Sequence, residues 1–163
     1  MRNYVTVAIC IIACATLGIW FSQRGAADAA KAYPPMGWTI HVDAKKHFAG
    51  HPMEVAHHFC KNVAGGMIEC QIYESDAPNA RMVAVETIVP PAVYAKLPKA
   101  EQANWHYHKT EIPKVDATTP DMTKAEAAKL VAALNPTYGK VYVLWDPMTS
   151  NEPIGQPTIT ILK

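Results

Sequence analysis

Two strand-like runs, Val55 to Val63 and Met67 to Tyr73, flank Ala64-Gly65-Gly66, and this stretch constrains the fold more than any other. A three-residue connection with two glycines supplies the positive φ that a tight turn needs, so the runs are predicted to pair as an antiparallel hairpin. With that loop length Val63 faces Met67, and counting outward sets Cys60 directly opposite Cys70. Opposed residues carry Cβ atoms about 4.5–5.5 Å apart, which a disulfide can bridge at a non-hydrogen-bonded pair. Two states of the pair stay open: a disulfide, as an exported domain would allow, and two buried thiols. Alternation along the strand also separates two adjacent histidines. His58 shares the cysteine face with Ile68 and Ile72, while His57 points the other way with Phe59, so only one of them can face the core.

The rest of the chain reads as short elements divided by thirteen prolines. Met36 to Val42 is predicted as a first strand with Trp38, Ile40 and Val42 on one face, followed by a polar loop from Asp43 to Pro52 that holds His47 and His51. Arg81 to Val89 is a strand in which Glu86 is the odd residue. A carboxylate amid apolar neighbours must pair with a cation, bind a metal or emerge on an open face. Pro90-Pro91 opens a short helix, Pro98 starts a second one that runs to Trp105, and His106 to Ile112 is predicted to return as a strand. Thr123-Lys124-Ala125-Glu126 is a capping-box pattern before a helix that ends at Asn135-Pro136. Lys140 to Trp145 and Thr158 to Leu162 are the last strands. The sum is an α+β fold: a largely antiparallel sheet of six or seven short strands, with about three helices on one side.

Before this domain, Arg2 precedes an uncharged run from Val5 to Phe21. Residues 1–30 are expected to be a signal peptide cleaved near Ala27-Asp28-Ala29, or a membrane anchor with Trp20 and Phe21 at the interface; residues 31–163 form one domain. Either way the domain is expected outside the cytoplasm: periplasmic, or held at the outer face of the inner membrane if the segment is retained. The formal net charge of +1 and the lack of a basic patch give no case for nucleic acid. Protein partners are not indicated.

Soft and borderline metal ligands concentrate in two places, His57-His58-Phe59-Cys60 and Trp105-His106-Tyr107-His108. Four of the seven histidines lie there, and if folding brings the two segments together, His58, His106, His108 and Glu111 are the candidate ligands of one zinc or copper ion. His57 and Glu86 are further candidates. The competing reading makes each histidine a hydrogen-bonded structural residue. No Gly-x-Ser-x-Gly elbow, phosphate loop or dinucleotide fingerprint is present.

In order along the chain, His57-His58-Phe59-Cys60, Glu69-Cys70-Gln71-Ile72-Tyr73-Glu74-Ser75-Asp76, Ala80-Arg81-Met82-Val83-Ala84-Val85-Glu86, Leu97-Pro98, Trp105-His106-Tyr107-His108, Glu111, Tyr138-Gly139-Lys140 and Gly155-Gln156-Pro157 form a set. From about Gly37 to the C-terminus this set resembles the oil-body-associated protein-like family, which comprises the plant proteins and bacterial and fungal relatives. The resemblance implies a shared domain and no demonstrated chemistry. The functional expectation is therefore an exported accessory or binding domain, anchored or free, with one metal ion in a histidine cluster. The alternatives are a metal-dependent hydrolytic enzyme using Glu86 or Glu111 as base, and a structural subunit of a membrane assembly.

Overall fold

The computed structural model describes residues 36–160, so the expected leader or anchor lies outside the described residues. Seven strands form one antiparallel sheet: β1 (Ile40–Lys45), β2 (Val55–Val63), β3 (Met67–Tyr73), β4 (Met82–Val89), β5 (His106–Tyr107), β6 (Tyr138–Val143) and β7 (Thr158–Thr160). Their order is β1-β2-β3-β4-β6-β5, and β7 pairs with β6 beyond the end of β5. Among the described residues no helix is long and apolar enough to cross a membrane.

The hairpin sets the register of everything beside it. Gly65 and Gly66 both take positive φ, at 78° and 70°, and return the chain so that Val63 opposes Met67 and Cys60 opposes Cys70. The two cysteines are joined as a disulfide. The same parity runs across the sheet: Cys60 and Cys70 share a face with Glu86 and Val141, and His58 shares it with Ile72, Ala84 and Val143.

That face carries two apolar clusters. One comprises Phe48, Ala56, Ile72, Val83, Ala84, Val141, Val143 and Trp145. The other comprises Cys60, Cys70 and Ile88, with Ile40, Ile68 and Leu134 against them. Leu134 comes from the helix Lys124–Leu134, which starts as its sequence requires: Thr123 Oγ1 accepts from the Glu126 amide, and the Glu126 carboxylate accepts from the Thr123 amide.

Two elements differ from expectation. The first strand begins at Ile40 and runs through Lys45, so Asp43 is paired across from His57 rather than lying in a loop. The predicted strand from His106 to Ile112 stops after Tyr107 and becomes a helical turn, His108–Glu111. The His108 amide makes the last in-register bond, to the Thr137 carbonyl; Thr110 Oγ1 then donates to the Tyr107 carbonyl at 2.9 Å, and Pro113 has no amide with which to extend a ladder. Named in chain order, the helices are then α1 (Pro91–Tyr94), α2 (Lys99–Gln102), α3 (His108–Glu111) and α4 (Lys124–Leu134).

Nor do all the helices lie on one side. Leu134 of α4 packs on the cysteine face, whereas Tyr94 of α1 stacks on Tyr138 and Glu101 of α2 pairs with Lys140, both of which alternate onto the opposite face.

The disulfide closes a sequence separation of ten residues. Cross-linking a loop of that length removes unfolded-chain entropy worth about 3 kcal/mol. Cys60→Ala/Cys70→Ala is expected to unfold in urea with about that loss of stability and an intact sheet signature by circular dichroism. A double variant as stable as the parent would contradict this account.

Candidate metal centre

Strand β4 supplies Glu86, strand β5 supplies His106, and the turn of α3 supplies His108 and Glu111. Had the chain continued as a strand, Glu111 would lie about 16 Å beyond His106. The helical turn folds it back instead. Glu86 Oε1 lies 3.2 Å from His106 Nε2 and 3.4 Å from His108 Nε2, and Glu111 Oε2 lies 2.9 Å from His106 Nε2. All four residues are buried, and one ligand atom from each of Glu86, His106 and His108 falls within 4.8 Å of the other two.

The hydrogen-bond network fixes which way these rings face. Thr137 Oγ1 donates its proton to the Leu134 carbonyl, 2.7 Å away, so toward His108 Nδ1, at 2.8 Å, it can only accept. His108 therefore carries a proton on Nδ1 and turns Nε2 toward Glu86 Oε1, 3.4 Å away. A proton on that nitrogen, donated to the carboxylate, or a cation between the two atoms joins them there. His106 Nδ1 is also buried with no hydrogen-bond partner among the described residues, while Glu111 Oε2 is ion-paired with the Nε2 of the same ring. Burial opposes a charge on His106, but Glu111 and Glu86 beside it outweigh burial and raise its pKa to about 9. Burial likewise pushes the Glu86 carboxyl up, but His106 and His108 overcome it and hold the group well below the usual carboxylate range.

Gly139 explains why the site has room. It sits opposite His106 across the β5–β6 pair, and a Cβ built on it would collide with Glu86 Oε1 and His106 Nε2. Next to the cluster is a cavity of about 70 Å³ walled by Ile40, Ile88, Val115 and Leu134, with His58 and His47 on the same wall.

His58 faces this cavity as its parity requires, but it lies outside the three-residue ligand cluster. Its Nδ1 is within 3.0 Å of the Ala56 carbonyl and 3.2 Å of the Val42 carbonyl, so that nitrogen donates; its Nε2 is 3.2 Å from His47 Nε2. His47 Nδ1 donates to the Lys45 carbonyl in the same way. Burial, the nearby His47 and little compensation lower the His58 pKa to about 4, and burial lowers that of His47. His57 is on the other face of the sheet, 2.7 Å from Asp43.

Thus His106, His108 and Glu111 come together, Glu86 moves from secondary candidate to the centre, and His58 pairs with a residue that carried no spacing signal, His47. The disposition of His41 beside Asp43 and His57 was also missed. Extending the first strand by three residues would have revealed it, as His41 and Asp43 then share a face opposite His57.

The fold and site define an antiparallel α+β domain with a buried imidazole and carboxylate cluster over an apolar cavity. A family model described as a protein of unknown function, DUF1264, matches residues 34–162, and the chain belongs to this oil-body-associated protein-like family. It is 32% identical over 138 residues to oil body-associated protein 1B of Arabidopsis thaliana, covering 82% of this chain and 57% of that protein. It is 30% identical over 112 residues to oil body-associated protein 2B of Zea mays, covering 68% and 45%. The chain thus spans about half the length of the curated relatives it matches. No solved structure matches it.

His58 gives a signed pH dependence in chelator-treated protein. At pH values above 6.5 the ring is neutral whether folded or not. Between 6.5 and about 4 only the unfolded chain takes the proton, so stability falls as pH falls; below about 4 both forms are protonated and the loss stops. The full loss is about 3 kcal/mol. Urea unfolding across this range is expected to show a decline that His58→Asn, which keeps a donor toward the two carbonyls, makes shallower, leaving the part due to His47. Equal slopes in both proteins would refute the assignment.

Proposed function

We propose that this chain is an exported metal-binding domain that holds one zinc or copper ion through Glu86, His106 and His108. The observation that carries the reading is the convergence of His106 Nε2 and His108 Nε2 on the single oxygen Glu86 Oε1, with all three residues buried. Two imidazoles and a carboxylate are a ligand set that suits either metal. Thr137 behind His108 plays the part usual for a histidine ligand, whose second nitrogen donates to a fixed acceptor. Export rests on the uncharged run from Val5 to Phe21 behind Arg2, which would deliver the domain to the periplasm or tether it at the outer face of the inner membrane.

The cavity favours a second reading of the same centre. Three protein ligands leave a coordination position, and a space of about 70 Å³ beside them admits water or a ligand of a few atoms. With Glu86 among the ligands, Glu111 remains as the base for a metal-bound water, which would make the domain a hydrolase of a small substrate.

Elemental analysis of the full-length protein after dialysis is expected to find one tightly held ion per chain, and none in His106→Ala/His108→Ala. A folded parent that keeps no metal, even after loading with zinc or copper salt, would end the proposal. Gly139→Ala offers a sharper check, because it removes no ligand. Its methyl group would displace Glu86 and His106, so the retained ion is expected to be lost while circular dichroism still reports the sheet. Retention of the ion in Gly139→Ala would show that Glu86 and His106 are not its ligands.

A further inference from the structure

We infer that the opposite face of the sheet carries a second, more exposed metal site, formed by His41, Asp43 and His57. It uses none of the residues of the buried centre. His41 and Asp43 alternate on β1, and His57 is the cross-strand partner of Asp43 on β2, so pleat geometry puts all three on the face away from the cysteines. A single carboxylate oxygen, Asp43 Oδ1, lies 2.7 Å from His57 Nδ1 and 3.1 Å from His41 Nε2, and the three ligand atoms fall within 4.8 Å of one another.

Three further facts turn this cluster from an ion pair into a coordination set. Asp121 Oδ2 lies 2.8 Å from His41 Nδ1, and because a carboxylate only accepts, that nitrogen donates. The result is the carboxylate–histidine arrangement that orients metal-bound imidazoles, with Nε2 turned toward Asp43. Asp121 is brought there by the Thr118 segment, whose backbone exchanges two hydrogen bonds with Asp43, and the His41 ring is held by stacking on Phe59 at 4.4 Å.

The third fact concerns His57. Its Nδ1 is buried and close to Asp43 yet has no hydrogen-bond partner among the described residues. Oδ1 can accept from both rings, yet as the rings are placed His57 Nδ1 makes no hydrogen bond with it. A cation placed among the three atoms satisfies both. Bonds of about 2.1 Å at tetrahedral angles hold ligand atoms about 3.4 Å apart, so the two contacts to Asp43 Oδ1 need to widen by less than 1 Å to receive zinc. Asp43 and His57 are partly exposed, in contrast to Glu86 and His106, so this ion should exchange with solvent while the buried one is retained.

The test is calorimetric titration of the full-length, chelator-stripped protein with zinc chloride at neutral pH. Two equivalents are expected for the parent, one for His41→Ala/His57→Ala and one for His106→Ala/His108→Ala. Asp121→Asn should weaken the second site about 10–100-fold without reducing the buried equivalent. Asp43→Asn preserves side-chain shape, and its retained fold can be checked by circular dichroism; it should weaken the second site by at least as much. Equal stoichiometry and affinities in the parent, His41→Ala/His57→Ala and Asp43→Asn would overturn the inference. If instead only the His41 and His57 substitutions remove an equivalent, this site stands and the buried centre fails.

Discussion

Every arrangement of side chains described here depends on one register, Val63 against Met67, fixed by two glycines that tolerate positive φ. The side-chain period of a strand is two, so a slip of one residue in β2 would exchange its faces. Cys60 would leave Cys70, His58 would leave the cavity, and His57 would leave Asp43. The disulfide therefore does more than restrict the unfolded chain. It joins the two strands at the pair from which Glu86 is the next neighbour across the sheet, and so secures the register of the strand that carries the buried carboxylate.

The sheet was legible wherever a single physical rule decided the matter. The hairpin followed from its glycines, the opposition of Cys60 and Cys70 from counting, and the start of α4 from the reciprocal bonds of Thr123 and Glu126. Strand β4 followed from its alternation, with its start one residue later than expected. The site was legible only in part, because its decisive features depend on which of two local tendencies prevails. His106 to Ile112 has strand-like composition, yet a threonine hydroxyl and a proline end the ladder after two residues, and that interruption brings Glu111 back to His106. At the first strand, polar residues suggested a loop after Val42. Backbone bonds between Asp43 and Thr118 instead carry the ladder on, and tertiary pairing overrides local composition. His47 reaches His58 from outside any strand, and no periodicity announces such a contact.

The location of the buried cluster bears on what it is for. It lies between two apolar clusters on one face, where Val or Leu would pack without the cost of removing carboxylates and imidazoles from water. Polar groups placed there reduce stability unless fully partnered, and these are not: His106 Nδ1 has no hydrogen-bond partner among the described residues. Gly139 adds to the argument, because a strand interior disfavours glycine, and here the missing Cβ is the space that Glu86 and His106 occupy. A fold selected only for rigidity would fill that position and bury a hydrocarbon side chain at Glu86. The histidines behave consistently with this: His108 and His41 each have one nitrogen tied to a fixed oxygen and the other aimed into a cluster, and His58 and His47 have theirs tied to carbonyls. Orientation of that kind costs side-chain entropy and yields nothing to packing. Its return comes when a cation sits between the second nitrogen and the carboxylate it faces.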